Sequence, residues 1–374
     1  MNESEVQNIK NEVDSLNNIG FPAKFVTKLN LPFEIKGAIQ FENQAQFHPL
    51  KYVYGLCDCI TKRGGKIFTD TTVVDVKTDG DLYLTYTKDF IVKSKYVILA
   101  SHYPFLNIPG FYFTKMYQST SYVISVDTKK PLFDGMYISC DVPSFSYRTA
   151  KFGDKKLLLL GGASHKTGQF VDYANSYGIL ENEAKKLYPD SEILYRWDTR
   201  DCITLDKIPY IGNFSNTMPN LYIATGFNKW GMTSSNVAAN VVTDKICRKD
   251  NEYAFVFDST RVHPIKNRDE VKNILTQSVN SLFIDKIKTN YSDFDSISND
   301  SGSIIEINGQ KVGIYKDSSG NLFAVNPICT HLGCLLSWND ADKTWDCPCH
   351  GSRFNYMGKN IYDPAFKDLE IYNL

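Results

Sequence analysis

The chain has 374 residues, 43% of them apolar and 22% charged, with a net charge of −1, the profile of a globular protein with room for two or three domains. Near-neutrality removes the basic footprint that nucleic acid or an anionic membrane surface requires. No run approaches the ~18 consecutive apolar residues of a membrane span, and the polar, acidic opening MNESEVQNIKNEV is neither a signal nor a transit peptide, so the cytoplasm is the expected compartment.

Val6, Ile9, Val13, Leu16 and Ile19 recur at helical spacing up to Gly20 and predict a first helix. A second is predicted over 49–63, with Pro49 suited to its first turn and Gly64–Gly65 ending it. Strands follow at Lys66–Phe68, Thr72–Val76, Leu82–Thr87, Phe90–Val92 and Tyr96–Ala100, with Asp79–Gly80 supplying a hairpin turn. Further strands are predicted at 121–126, 136–140, 156–161 and 221–225, and helices at 171–188 and 232–247. Residues 264–289 read as a charged amphipathic helix, and the polar, turn-rich stretch NYSDFDSISNDSGS after it marks a boundary. Beyond it come short strands and turns without helical period. Three regions result: 1–262, a helical linker over 263–290, and a small all-β domain over 291–374.

Nine cysteines are distributed unevenly. Five (Cys57, Cys59, Cys140, Cys202 and Cys247) are scattered, and Cys57 and Cys59 are expected to be core thiols facing different ways on the second helix. The other four fall within Cys329–Cys349, which suggests a metal site rather than a disulfide framework. They form two boxes, Cys329-Thr330-His331-Leu332-Gly333-Cys334 and Cys347-Pro348-Cys349-His350-Gly351-Ser352. Two cysteines and two histidines can hold zinc or a [2Fe–2S] cluster. Zinc fingers usually pair like ligands, whereas each box here carries one of each kind. Cys334 and Cys349 sit at matching places in the boxes.

These boxes resemble the Rieske iron–sulfur family. The resemblance implies that Cys329 and Cys347 bind one iron and His331 and His350 the other, with a disulfide between Cys334 and Cys349. Histidine ligation sets potentials within roughly −150 to +300 mV, tuned by hydrogen bonds to the sulfurs. Ser352 stands where the family places a sulfide-bonding hydroxyl. Two residues on, high-potential members carry a tyrosine and this chain has Phe354, so Phe354→Tyr is expected to raise the midpoint potential measured by voltammetry. Ring-hydroxylating oxygenases need a separate site of two histidines and a carboxylate, and His48, His102, His165 and His263 offer no close pair for one.

The first 260 residues resemble the glycine oxidase and D-amino-acid oxidase family of FAD-dependent oxidoreductases. The resemblance rests on Phe47-His48-Pro49-Leu50, Gly64-Gly65-Lys66-Ile67, Thr72-Val73-Val74-Asp75-Val76, Tyr96-Val97-Ile98-Leu99-Ala100, Asp206-Lys207-Ile208-Pro209-Tyr210-Ile211-Gly212 and the run from Leu221 through Gly226 and Gly231 to Thr233. It implies a fold of α/β and α+β character: an incomplete Rossmann-like FAD-binding domain with an antiparallel substrate-domain sheet, then the small all-β Rieske domain. It places Gly226, Gly231, Met232 and Thr233 at the flavin, where a helix N-terminus meets negative charge, and Val74 at the adenine end.

The family's opening G-x-G-x-x-G unit is absent from the sequence, and Ala100-Ser101-His102 replaces the usual Ala-Thr-Gly. The expectation is therefore a chain that enters the fold after that unit, with a second chain as one possible supplier of it. Trp197, Arg200 and Asp201 are candidate cavity residues and Arg148 a candidate carboxylate clamp, while no general base is assigned. Gly161–Thr167 looks like a P-loop but lacks the glycine before its lysine, and is expected to be a strand end. The leading reading is an oxidoreductase relaying electrons between a flavin-oxidised substrate and an external partner. The alternatives are a flavin-free electron carrier and one subunit of a split flavoenzyme.

Overall fold

A computed structural model describes residues 3–106, 108–167, 173–261 and 297–372, and the chain divides into two compact units. The expected linker over 263–290 lies outside the described residues.

The first unit comprises Met1–Ile67, Ser121–Ser164 and Asn175–Asp198. Helix α1 (Glu3–Asn18) ends where the Asn17 amide exchanges two hydrogen bonds with the backbone of Ala23, turning the chain into a ribbon of Lys24–Val26 and Ala38–Gln40. Helix α2 (Pro49–Lys62) carries proline in its first turn and ends at Gly64 in the left-handed region (φ 83°). Contrary to expectation, Cys57 and Cys59 are not core thiols: α2 has no buried residue, Cys57 is half-buried and Cys59 exposed. Lys66–Phe68 forms no strand either, since this segment finds no strand to pair with among the described residues.

A five-stranded sheet orders its strands Glu192–Thr204, Met116–Asp127, Lys155–Lys166, Phe145–Phe152 and Tyr137–Ile138. Lys155–Lys166 pairs antiparallel with Phe145–Phe152, so Gly161–Lys166 is indeed strand and not a phosphate loop. Helix α3 (Tyr173–Leu187) buries Leu180 and Ala184, sets Tyr177 edge-on against Tyr122, and accepts a hydrogen bond on Glu183 from the Tyr147 hydroxyl. The Glu192–Thr204 strand escaped prediction because its outer half is largely exposed and only its last residues are buried, so it shows no alternating pattern.

The second unit holds Phe68–Thr120, His165–Ala174 and Thr199–Leu374. Val73–Asp79, Leu82–Thr87 and Ile91–Ser94 form a meander whose first turn needs Gly80 at φ 60°. Beside it, Leu221–Thr225, buried at every residue, lies between Tyr210–Asn213 (antiparallel) and Val97–Leu99 (parallel). Helix α4 (Gly231–Ile246) packs Ala238, Val241 and Val242 on Ile211, Tyr222 and Ala224. Tyr103, Tyr112, Met116, Cys202 and Phe214 belong to a second buried cluster with Leu221 and Ile223.

From Ser301 to Tyr372 the chain is all-β, as expected. Two four-stranded sheets run antiparallel between neighbours: Ser301–Ile307, Gln310–Lys316, Leu322–Val325 and Ile371–Tyr372, then Ser337–Asn339, Thr344–Asp346, Arg353–Asn355 and Asn360–Tyr362. Trp345 and Phe354, cross-strand partners in the second sheet, are fully buried at its core. Among the described residues no helix is long and apolar enough to cross a membrane.

Candidate functional site

Both cysteine–histidine boxes are loops closing the ends of strands. The first is closed by a bridge between Ile328 and Leu335, and the second joins Thr344–Asp346 to Arg353–Asn355. They fold alike. In each, the leading cysteine N–H donates to the carbonyl five residues on (Cys329 to Cys334, Cys347 to Ser352, both 2.8 Å), and the glycine four residues on donates back (both 3.0 Å). Gly333 and Gly351 take φ of 76° and 79°, the left-handed geometry that makes glycine the natural residue there. Superposed this way, Cys334 matches Ser352, and Cys349 matches His331. The two cysteines therefore do not occupy equivalent places, as the sequence had suggested, yet they are joined as a disulfide. Their sulfurs and that of Cys347 all lie within 4.8 Å of one another.

The loops bring Cys329 and Cys347 into side-chain contact, and His331 and His350 to a ring separation of 5.0 Å. The hydrogen bond from Cys347 holds the Cys329 thiol down at about 7 against the opposing effect of burial, with the His331 and Leu332 N–H groups and the Ser352 hydroxyl adding to it. Ser352 is itself held by Ala365, whose N–H donates to its oxygen at 2.9 Å. Burial keeps both imidazoles neutral, His331 at about 4 and His350 at about 3, the latter aided by its neighbour. The buried His350 Nδ1 has no hydrogen-bond partner. Two adjacent thiols and two adjacent neutral imidazoles, one with an unsatisfied lone pair, are the donor set that a mixed-ligand iron–sulfur cluster takes. The residues fit the group.

The His350 side of this site is closed by residues far away in sequence. Tyr103 lies 5.4 Å from His350 and 6.5 Å from His331, ring to ring, and Phe113 lies edge-on to His350. His350 is 5% exposed, whereas His331 is half-buried and its neighbour Leu332 is 40% exposed. Gln118 is buried against Gly351, its Oε1 2.0 Å from where a Cβ would stand. Arg200 is not a cavity residue: it is 3% exposed and reaches Asp346 at 3.2 Å, while its guanidinium stacks on Tyr362. Arg353 chelates the same carboxylate (2.8 and 3.0 Å), and Asn339 and Thr344 complete its bonds. Burial alone would raise Asp346, but the charges of Arg353 and Arg200 and these hydrogen bonds hold it below the ordinary carboxylate range.

The second candidate site follows Leu221–Thr225. Gly226 has φ 70°, and a Cβ there would meet Thr204 at 2.3 Å. Asn228 pins the loop by accepting from the Thr204 N–H (2.9 Å) and donating to the Gly226 carbonyl (2.8 Å). Helix α4 then starts at Gly231 with no side-chain cap, leaving the amides of Gly231, Met232 and Thr233 on its first turn. Gly231 faces open space, with nothing within 4 Å of a Cβ, so no packing among the described residues requires a glycine. An uncapped helix start with a glycine before open space is a cradle suited to a planar ligand carrying negative charge at its edge. Val74 falls at a register shift between Val73 and Asp75 and has no cross-strand partner on Leu82–Thr87. His102 holds φ 61°, the conformation for which a glycine at this strand end is suited, and its carbonyl accepts from the Thr225 hydroxyl and the Cys202 thiol.

In the first unit, Arg148 is half-buried, with its Nη2 3.4 Å from the Phe47 carbonyl and its Nε buried without a partner, and Trp197 is 40% exposed. Asp201 is raised by burial against the opposing charges of Lys229 and His102. Tyr103, Phe113, Gln118 and Asp346 carried no local sequence signal, because each matters through a partner on a distant segment.

Comparison with known proteins agrees with this architecture. A model described as FAD dependent oxidoreductase (DAO) matches residues 2–245, and one for the Rieske [2Fe-2S] domain matches residues 291–373. A Bacillus subtilis (strain 168) protein named as a Rieske 2Fe-2S iron-sulfur protein, YhfW, is 38% identical over 373 residues, covering 100% of this chain and 73% of its own length. A cytochrome b6-f complex iron-sulfur subunit of Chlorobaculum tepidum is 41% identical over 78 residues, 21% of this chain and 42% of the subunit. Among solved structures, glycine oxidase from Geobacillus kaustophilus superposes with a TM-score of 0.60 at 21% identity, over 70% of this chain and 73% of that one. L-Proline dehydrogenase from P. horikoshii gives 0.59 at 18%, over 70% and 74%. At these identities the structural likeness speaks to fold.

Proposed function

Since the chain belongs to the DAO family of FAD-dependent oxidoreductases and carries a Rieske [2Fe–2S] domain, we propose that it oxidises a small amine or alcohol and passes the electrons to an external acceptor. FAD supplies the two-electron oxidation when bound, and the [2Fe–2S] cluster supplies single-electron transfer. The observation that carries the reading is the convergence of Cys329, Cys347, His331 and His350 at a buried site lined by Tyr103 and Phe113 of the oxidoreductase region.

In this reading the Cys329 and Cys347 thiolates hold one iron, and the neutral imidazoles of His331 and His350 hold the other. The Cys334–Cys349 disulfide ties the two loops together beside Cys347. Ser352 donates to the sulfur side, Gly231, Met232 and Thr233 present amides to the flavin's pyrimidine edge, Gly226 gives the loop its turn, and Val74 offers backbone to the adenine end. A flavin-free carrier and a split subunit are not favoured for a chain matching an FAD-dependent model over residues 2–245. A second chain supplying the glycine-rich unit finds no support in the comparisons.

The test begins with flavin and iron stoichiometry on anaerobically purified protein, where one FAD and two irons are expected. His331→Ala is then expected to lose the cluster and, with it, at least tenfold in turnover with a one-electron acceptor. Turnover unchanged in the cluster-free variant would sink the relay.

A further inference from the structure

A row of aromatic rings runs through the all-β domain, outside the ligand set of the cluster. Trp345, fully buried, belongs to the same core cluster as Cys329 and Cys347. Trp338 lies 4.7 Å from it, ring to ring, Tyr315 stacks on Trp338 at 5.1 Å, and the half-buried Tyr356 lies 5.0 Å from Tyr315. Packing accounts for the rings but not for the way their polar atoms are matched. The Trp345 Nε1–H is buried with no hydrogen-bond partner among the described residues, a condition native proteins rarely leave an indole in. The Trp338 Nε1–H donates to the Asp340 carboxylate at 3.1 Å, and the Tyr315 hydroxyl donates to the exposed Asp300 carboxylate at 2.8 Å. That hydroxyl and the Lys343 ammonium, 3.2 Å away, hold Asp300 below its ordinary range, while burial and Asp300 push the phenol up to about 12. Near neutral pH the phenol therefore keeps its proton beside a carboxylate able to take it.

Proton acceptors thus serve the outer members of the row and not the innermost. An oxidised indole that cannot shed its proton stays a strong oxidant and draws an electron from its neighbour. A phenol that hands its proton to a carboxylate comes to rest instead as a neutral radical. We propose that Trp345, Trp338 and Tyr315 form an escape route that carries oxidising equivalents from the cluster site to the Asp300 face of the domain, where a soluble thiol discharges them. The oxidant is a peroxide. Taking one electron from the reduced cluster, hydrogen peroxide breaks its O–O bond into hydroxide and an oxygen-centred radical, and that radical takes a second electron from Trp345 to become hydroxide. Trp338 then refills Trp345, and Tyr315 refills Trp338 as its hydroxyl proton passes to Asp300. The thiol returns a hydrogen atom to Tyr315 and leaves as a thiyl radical, and the proton on Asp300 goes to solvent to neutralise one hydroxide.

The proposal rests on the cluster reading, which iron content and a Rieske-type electron-paramagnetic signal in untreated wild type check separately; protein without iron fails both. The test adds hydrogen peroxide to the reduced full chain, freed of excess reductant, and examines freeze-quenched samples for a tyrosyl radical and peptides for oxygenated tryptophan by mass spectrometry. Wild type is expected to show the radical. Tyr315→Phe and Trp338→Phe are expected to lose most of it, with a several-fold rise in oxygenation of Trp345 in both. Asp300→Asn keeps a hydrogen-bond partner for the phenol but no proton acceptor, and is expected to weaken the signal. A two-iron wild type without the radical overturns the proposal, and so does an undiminished signal in Tyr315→Phe or in Trp338→Phe. Should those two variants lose their iron, Asp300→Asn, a change at an exposed side chain, decides alone, and an undiminished signal there overturns the proposal as well.

Discussion

Arg200→Met is expected to destabilise the second unit by about 3 kcal/mol, the lower part of the range for unpairing a buried charge. Asp346 is fully buried, and two guanidiniums together with Asn339 and Thr344 offset the cost of its desolvation. Methionine fills much of the volume but returns neither the ion pair nor the stacking on Tyr362. Arg353 remains, so the carboxylate stays charged but is half as well neutralised. Arg200 comes from the Glu192–Thr204 strand and Asp346 from the Rieske domain, so the loss concentrates where the two meet. A separate, lower-temperature calorimetric transition for the Rieske domain is the expected signature. The same pair fixes the sign of an acid effect. Because Asp346 sits below its ordinary range when folded, its contribution is fully present above the ordinary carboxylate pKa and is lost as pH falls through the depressed native value. Arg200→Met should therefore flatten the acid limb of the wild-type stability profile, and an unaltered limb would count against this account.

Gly351→Ala is expected to cost about 2–5 kcal/mol, and iron content should fall with it. Two effects add: a non-glycine residue held at φ 79° costs roughly 1–2 kcal/mol, and overpacking a closed site costs roughly 1–3 kcal/mol. The new methyl would stand 2.0 Å from Gln118 Oε1, and Gln118, only 2% exposed, has little room to retreat. The double variant Gly351→Ala/Gln118→Ala separates the two effects, recovering the clash but not the backbone strain. Thermal unfolding and iron analysis on the two variants beside wild type check this, and Gly351→Ala with wild-type stability would refute it.

The cluster site was the most legible part of the sequence because its chemistry is local. Each box is six residues long, and the hydrogen bonds that shape it run from Cys329 to Cys334 and from Cys347 to Ser352, within the box itself. The helices α2 and α4 were legible for the same reason, through Pro49 at one start and the Gly231 junction at the other. What the sequence hid depends on distant partners. Arg200 looked like a cavity residue until the fold set it on Asp346, and Tyr103 had no motif at all. The exposed outer half of Glu192–Thr204 and the unpaired Lys66–Phe68 show the converse: a strand exists where a neighbour pairs with it, and composition alone does not supply the neighbour.

The unequal exposure of the two imidazoles gives the site a polarity. His350 is sealed beneath Tyr103 and Phe113, while His331 stands beside the exposed Leu332. His350 is therefore the enclosed imidazole, while His331, half-buried and also met edge-on by Tyr103, is the more accessible of the two. In the proposed relay, the half-buried His331 and the exposed Leu332 beside it form the edge of the cluster site open to an electron-transfer partner from solvent.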